Sequence, residues 1–267
     1  MSDRPSDRDE VLLVVPVRLD SRRFPGKALV ELNGEAAIEH LLRKLAPLHA
    51  RLITATDSPQ IAQLAERYGE IYLSDEHFLC GSERVAAAYA AMGRGEQWVI
   101  DLQGDEIGIP IEAIESVIQA RKRSASKILT PCIPMTGSLS STDRMEKQND
   151  NDGIDCELNT IRSLHKVKVV FDAARRALYF SRSPIPYPFV CDGPWYLHVG
   201  VFAYTAASLL AFPSLPPSKL EQRESLEQLR ALEAGWHIEM LPLDGWTNRP
   251  WPSLNVPSDL AEALAFL

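Results

Sequence analysis

The sequence predicts an α/β protein in which a mostly parallel sheet is flanked by helices on both faces. Two observations carry that prediction. Val11–Val17 is a continuous apolar run of strand length, as expected of a strand buried on both faces. Strand and helix signals then alternate through the first half of the chain, the pattern of parallel βαβ units. The length of 267 residues suits one large α/β domain with room for a smaller lobe.

After the first strand, Ala36, Ile38, Leu41, Leu42 and Leu45 recur at helical spacing within Gly34–Ala46. Leu52–Thr56 reads as a second strand, and Asp57 with Gln60 as the start of a second helix. Ile71–Leu73 is a third short strand, and the alanine-rich segment Arg84–Met92 a third helix. Trp98–Leu102 is a fourth strand, followed by a helix from about Pro110 to Arg121 and a strand around Ile128–Ile133. Met135–Leu164 is polar and aperiodic, and is read as a long loop. Val167–Asp172 and Ala177–Ser181 form a strand pair around a turn, and Val199–Ala203 is a further strand. Ser218 with Glu221 is a capping-box signature before a helix reaching about Ala234. A strand at Ile238–Leu241 and a helix from Ser258 to Phe266 complete the series.

Composition removes several function classes. Acids outnumber bases 36 to 28, a net charge of −8, so no general nucleic-acid grip is expected. No apolar run reaches the 18 residues of a membrane span, and Met1–Glu10 is polar throughout, unlike a secretory leader. Four cysteines (Cys80, Cys132, Cys156, Cys191) and six histidines are scattered without zinc-site spacing. Dispersed thiols without a leader point to the reducing cytoplasm.

Two segments carry chemistry. Between Arg18 and Lys27 the chain has four bases and one acid, followed by no GxxxxGK[ST] or GxGxxG pattern. A charge run alone reads as a solvated loop. This one follows the first strand, at the carboxyl end of a parallel sheet where ligands bind, and ends Pro25-Gly26-Lys27. Backbone N–H groups there cradle phosphates, Gly26 allows close approach, and Arg and Lys supply charge. The second segment is Gln103-Gly104-Asp105-Glu106, after the fourth strand. A carboxylate there caps a turn or holds Mg²⁺ beside a triphosphate.

The motifs resemble, in order, those of the cytidylyltransferases that activate 3-deoxy-manno-octulosonate (KDO). The family's PARxxSxRxPGKPL is similar to the stretch from Pro16 to Leu29, and its GTER to Gly81-Ser82-Glu83-Arg84. QGDEP resembles Gln103–Ile107, and VKVVxD with ALYFSRxxIP resembles Val167–Asp172 with Ala177–Pro186. HxGIYxY is similar to the stretch from His198 to Tyr204, and LEQLR is matched by Leu226–Arg230.

The resemblance implies a Rossmann-like nucleotidyltransferase sheet in a single domain spanning residues 1–267. A smaller antiparallel lobe, about residues 165–205, would contribute to acceptor binding and to a homodimer. It implies CTP as co-substrate, with Pro16, Arg18, Ser21, Arg22 or Arg23, and Lys27 at its phosphates. Cys80, Gly81, Ser82 and Arg84 would lie near its base and ribose. Asp105 would hold Mg²⁺, and Gln103, Arg182, His198, Phe202, Glu227 and Gln228 would face a small acidic acceptor. Lys27, Arg22, Arg23 and Asp105 form the implied catalytic set. The family's second metal-binding Asp is here Asn255, and its acceptor-site Tyr is Phe202. Those departures bear on acceptor identity. The implied reaction is CMP transfer to KDO; the alternatives are another acid, such as phosphonoformate in phosphonate biosynthesis, and a catalytically silent nucleotide-binding paralogue.

Overall fold

The computed structural model of the chain describes residues 10–21, 23–48, 50–136, 160–187 and 194–267. Arg22, Cys156, Cys191, most of the polar leader and most of the polar segment after Met135 lie outside the described residues. In chain order the strands are β1 (Val11–Val17), β2 (Glu31–Leu32), β3 (Glu35–Ala36), β4 (Arg51–Thr56), β5 (Glu70–Leu73), β6 (Trp98–Leu102), β7 (Ile128–Met135), β8 (Lys168–Phe171), β9 (Ala177–Ser181), β10 (Trp195–His198), β11 (Val201–Thr205) and β12 (Ile238–Pro242). The helices are α1 (Ala37–Leu45), α2 (Pro59–Ala65), α3 (Gly81–Met92), α4 (Ile111–Ala120), α5 (Ala206–Ala211), α6 (Lys219–Glu224), α7 (Gln228–Glu233) and α8 (Asp259–Phe266).

The chain divides into two compact units. The first takes in the chain to Leu129, then Gly200–Pro216 and Trp251–Leu267; the second comprises Thr130–Val199 and Pro217–Pro250. In the first unit, β5, β4, β1 and β6 lie side by side and parallel, with Val14 opposite Ile53 on one side and Asp101 on the other. This is the parallel sheet the sequence predicts. All seven residues of β1 are buried, which explains their unbroken apolar character. β11 adds antiparallel to β6, pairing Phe202 with Asp101. Helix α3 packs on β1, β4 and β6, and α2 packs on β4 and β5. Parallel pairing sends the chain from β1, β4 and β6 to the same carboxyl edge, so the loops after them converge.

The second unit is antiparallel. Residues of β7 pair with β10, β10 with β8, and β8 with β9, while β12 also pairs with β7.

Four local expectations are corrected. Asn33 and Gly34 both have positive φ (50° and 86°) and turn a short β2–β3 hairpin, so α1 starts at Ala37. Two consecutive positive φ values are what an Asn-Gly hairpin turn supplies. The cap of α2 is Ser58, whose hydroxyl accepts from Ile61 N at 3.4 Å, with Pro59 first in the helix. Asp57 is thereby released for another contact. The helix expected to run unbroken to Ala234 is two helices, because Ser225 takes a left-handed conformation (φ 54°) between α6 and α7. Its capping box is present, with Ser218 and Glu221 bonded reciprocally. Finally, the strand expected at Val199–Ala203 is β11, Val201–Thr205, and it is preceded by β10, Trp195–His198, where no strand is expected from the sequence.

Candidate functional site

The basic loop leaves β1 with Arg18 exposed and Ser21 half-buried. It is closed by a hydrogen bond from Gly26 N to Leu19 O at 3.0 Å. Gly26 has φ 72°, a left-handed value that glycine adopts without strain. The turn delivers Lys27 to the loop after β6. Its ammonium donates to Asp105 Oδ2 at 2.6 Å and to Leu254 O at 2.8 Å. Arg23 donates to Asn255 Oδ1 at 3.3 Å. Asn255 is held in turn, its backbone N–H donating to Asp259 Oδ2 at 2.7 Å and its amide to Ser253 Oγ at 2.9 Å. Thus Arg23, Lys27, Asp105 and Asn255, far apart in sequence, meet in one cluster.

A second contact anchors the loop. Leu19 N donates to Asp57 Oδ1 at 3.2 Å, and Arg84 donates to Asp57 Oδ2 at 3.1 Å. Arg84 is buried over the Phe78 ring, 5.1 Å from its centroid, and its Nη1 has no partner among the described residues. Arg84 therefore acts on the basic loop through Asp57, the residue that Ser58 displaced from capping.

The remaining residues assigned around the nucleotide are packed behind this edge. Pro16 is buried within β1, and Cys80 precedes α3 without capping it through its side chain. A Cβ at Gly81 would stand 2.7 Å from Gln103 Nε2, so the glycine admits Gln103 beside the helix start. Gln103 donates to Asp101 Oδ1 at 2.9 Å, and Ser82 Oγ bonds Asp101 Oδ2 and Tyr204 Oη, each at 3.0 Å. Ser82 and Phe202 are fully enclosed, and Phe202 packs near Tyr204 with ring centroids 5.9 Å apart.

Arg182, His198, Glu227 and Gln228 belong to the second unit. Arg182 is held by backbone carbonyls: Nε donates to Glu224 O at 2.8 Å, Nη1 to Leu164 O at 3.1 Å and Nη2 to Ser225 O at 3.2 Å. Its own carbonyl accepts from the buried Lys168 ammonium, which also donates to Ser163 O and Lys166 O. Burial, with Arg182 nearby, pulls the Lys168 ammonium down to about 8. Burial pushes the His198 imidazole down to about 3, so it is neutral at physiological pH, with Nε2 2.8 Å from Thr130 Oγ1. Glu227 precedes α7, and Gln228 is buried at its first residue.

Among the described residues, no group of three or more His, Cys, Asp and Glu side chains could hold a metal ion by itself. Asp105 supplies a carboxylate and Asn255 an amide oxygen, both hard donors. Mg²⁺ commonly takes one or two protein oxygens and completes its shell with phosphates and water. The donor set fits a cation that arrives with a nucleotide. Sequence reasoning missed Asp57, Asp101 and Glu224. Asp101 left a signal, since an acid inside the apolar run Trp98–Leu102 must have a partner.

Comparisons with known proteins show the family. A family model described as Cytidylyltransferase matches residues 12–239. The 3-deoxy-manno-octulosonate cytidylyltransferase of Porphyromonas gingivalis is 34% identical over 266 residues, covering 97% of this chain and 96% of that protein. The protein of the same name from Chlorobium luteolum is 38% identical over 255 residues, covering 93% and 94%. A solved structure of CMP:2-keto-3-deoxy-manno-octonic acid synthetase complexed with CTP superposes with a TM-score of 0.78 at 29% identity, covering 96% of this chain and 97% of that one.

Proposed function

The chain belongs to the cytidylyltransferase family, and from that premise we propose that it transfers CMP from CTP to KDO, releasing pyrophosphate. The observation that carries the reading is the meeting of Lys27 and Asp105 at 2.6 Å, on loops after two neighbouring parallel strands. That arrangement supports the reading because it sets a compact cation and a hard carboxylate at the carboxyl edge of a parallel sheet, the edge at which such folds take their ligands.

In the reaction a hydroxyl oxygen of the acceptor attacks the α-phosphorus of CTP. The new O–P bond forms as the bond to pyrophosphate breaks, and the hydroxyl proton is released. Positioning and charge stabilisation carry such a transfer, with no covalent enzyme intermediate. Lys27 and Arg23 bind the phosphates and neutralise charge on the departing pyrophosphate. Asp57 and Arg84 fix the loop on which they stand. Asp105 and Asn255 are the groups that would hold Mg²⁺, which as a Lewis acid polarises phosphoryl oxygens. Arg182, Gln228 and His198 serve the acceptor, and hydrogen bonds to the carbonyls of Glu224, Leu164 and Ser225 hold the Arg182 guanidinium in place.

The direct test is pyrophosphate release from CTP with KDO, read against other sugar acids and phosphonoformate. Release with KDO alone is expected; release only with another acid would move the acceptor assignment. Dependence on Mg²⁺ is tested in the same assay by chelation. Asn255→Asp is expected to tighten Mg²⁺, lowering the concentration for half-maximal turnover roughly tenfold, because one added charge at a partly exposed site is worth on the order of 1 kcal/mol or more. An unchanged Mg²⁺ titration would remove Asn255 from the metal set. A homodimer in the cytoplasm completes the proposal, and sedimentation of the purified chain tests the dimer.

A further inference from the structure

We propose that Glu106 is a positioning residue for the CTP phosphates. It acts by fastening the strap Trp251–Asn255, whose Leu254 carbonyl and Asn255 side chain hold Lys27 and Arg23. The inference rests on the reading of Lys27 and Asp105 as part of the phosphate site.

Glu106 follows Asp105 directly, and both of its carboxylate oxygens accept N–H groups. Oε1 accepts from Gly200 N at 2.9 Å, and Oε2 accepts from the indole N–H of Trp251 at 3.0 Å. The Gly200 contact is tight: a Cβ there would lie 2.8 Å from Glu106 Oε1 and 3.3 Å from Gln103 Cβ. Gln103 N returns a hydrogen bond to Gly200 O at 2.9 Å. Trp251, only 4% exposed, is thereby fixed at the start of the strap.

The strap then runs alongside residues 105–108. Gly108 N donates to Pro252 O at 3.1 Å, and Leu254 N donates to Asp105 O at 2.9 Å. A Cβ at Gly108 would stand 2.7 Å from Pro252 O, so the two backbones are in direct contact. Ile107 and Leu254 are buried together with Leu32, Ala37 and Ala263. Ile107 stands where the resembling family has proline, and here it supplies apolar packing beneath the strap.

The consequence reaches the cationic side chains. Leu254 O is one of two acceptors for the Lys27 ammonium, and Asn255 Oδ1 accepts from Arg23. Glu106 acts on the cations through the strap, by way of its hydrogen bond to Trp251. It sets where their acceptors stand, and so where the charges point before the nucleotide arrives. The carboxylate is required because Gly200 N–H and the Trp251 indole N–H each donate to one of its oxygens: a glutamine would turn its NH₂ toward one of them, leaving one donor facing another.

The experiment compares wild type, Glu106→Gln and Trp251→Phe, with Lys27→Ala as reference. It measures CTP affinity by calorimetry, KM for CTP and kcat with KDO, melting temperature, and the indole N–H resonance of Trp251 by ¹⁵N NMR. Glu106→Gln is expected to raise both the dissociation constant and KM for CTP at least tenfold and to shift the Trp251 indole resonance upfield. Trp251→Phe, which removes one N–H and keeps the apolar packing, is expected to raise KM for CTP about threefold and carries the test should Glu106→Gln not fold. Wild-type CTP affinity and KM in the folded variants would overturn the inference, whatever their melting temperatures, because a purely structural glutamate changes stability alone. A wild-type chain that binds no CTP would instead overturn the transferase reading, and this inference with it.

Discussion

Lys27→Ala is expected to lower kcat/KM for CTP by about a hundred- to a thousandfold, the scale on which removing one charge-stabilising donor acts. The reason lies in what the ammonium can exchange. It now bonds Asp105 Oδ2 and Leu254 O, both of which CTP phosphate oxygens can replace as partners. Stability should change little, since both members of the pair are partly exposed (18% and 24%) and such pairs contribute about 0–1 kcal/mol. The contact also has a consequence for Asp105. While Lys27 occupies Oδ2, a divalent cation must compete with an ammonium for that oxygen. Lys27→Met should therefore bind Mn²⁺ more tightly than wild type in the absence of nucleotide, as read by electron paramagnetic resonance. More than a tenth of wild-type turnover in Lys27→Ala would remove this lysine from the phosphate site. Unchanged Mn²⁺ affinity in Lys27→Met would show that the lysine does not screen Asp105.

The parallel strands were legible because the physics that buries them is local. A strand covered on both faces must be apolar at every position, and Val11–Val17 announces this without help from the rest of the chain. The basic loop and Asp105 were legible for a similar reason: charge placed directly after a buried strand lies at the edge of a parallel sheet. What could not be read were contacts whose partners lie far apart in sequence. Glu106 looks like any turn glutamate until Trp251, 145 residues later, points its indole at it. Asp57 looks like a helix cap in sequence, but its neighbour Ser58 performs that role. Arg182 resembles an acceptor-binding residue, but the sequence gives no sign that its guanidinium is held by three backbone carbonyls supplied by residues 164, 224 and 225. The break at Ser225 was hidden because a left-handed serine is a backbone choice that side-chain periodicity does not register.

Arg51→Met is expected to cost about 3 kcal/mol at pH 7 and to leave kcat unchanged, the reverse of Lys27→Ala. Arg51 opens β4, Glu70 opens β5 and Glu96 shortly precedes β6, so the cluster lies at the amino ends of parallel strands, of which β4 and β6 lead at their carboxyl ends to Asp57 and Asp105. Its guanidinium donates to both oxygens of Glu70 at 2.7 and 2.9 Å, to Glu96 Oε1 at 2.8 Å and to Met92 O at 2.7 Å. Glu96 is 5% exposed, so removing Arg51 strands a buried carboxylate; Glu70, about a third exposed, contributes less. The hydrogen bonds from Arg51 hold the Glu70 carboxyl below its ordinary value of 4.5, against a smaller effect of burial. Burial pushes Glu96 upward, but the N–H groups of Arg94 and of Glu96 itself, together with Arg51, outweigh it and also leave that carboxyl below 4.5. Both carboxylates bind protons less readily in the folded chain than in the unfolded one. Their contribution is therefore complete above the unfolded value of 4.5 and is lost as pH falls through the lower folded values. Urea unfolding should show the gap between wild type and Arg51→Met at pH 7 and its narrowing below pH 4.5. A loss under about 1 kcal/mol, or a gap indifferent to acid, would mean that the Arg51 cluster is not what ties these strand starts together.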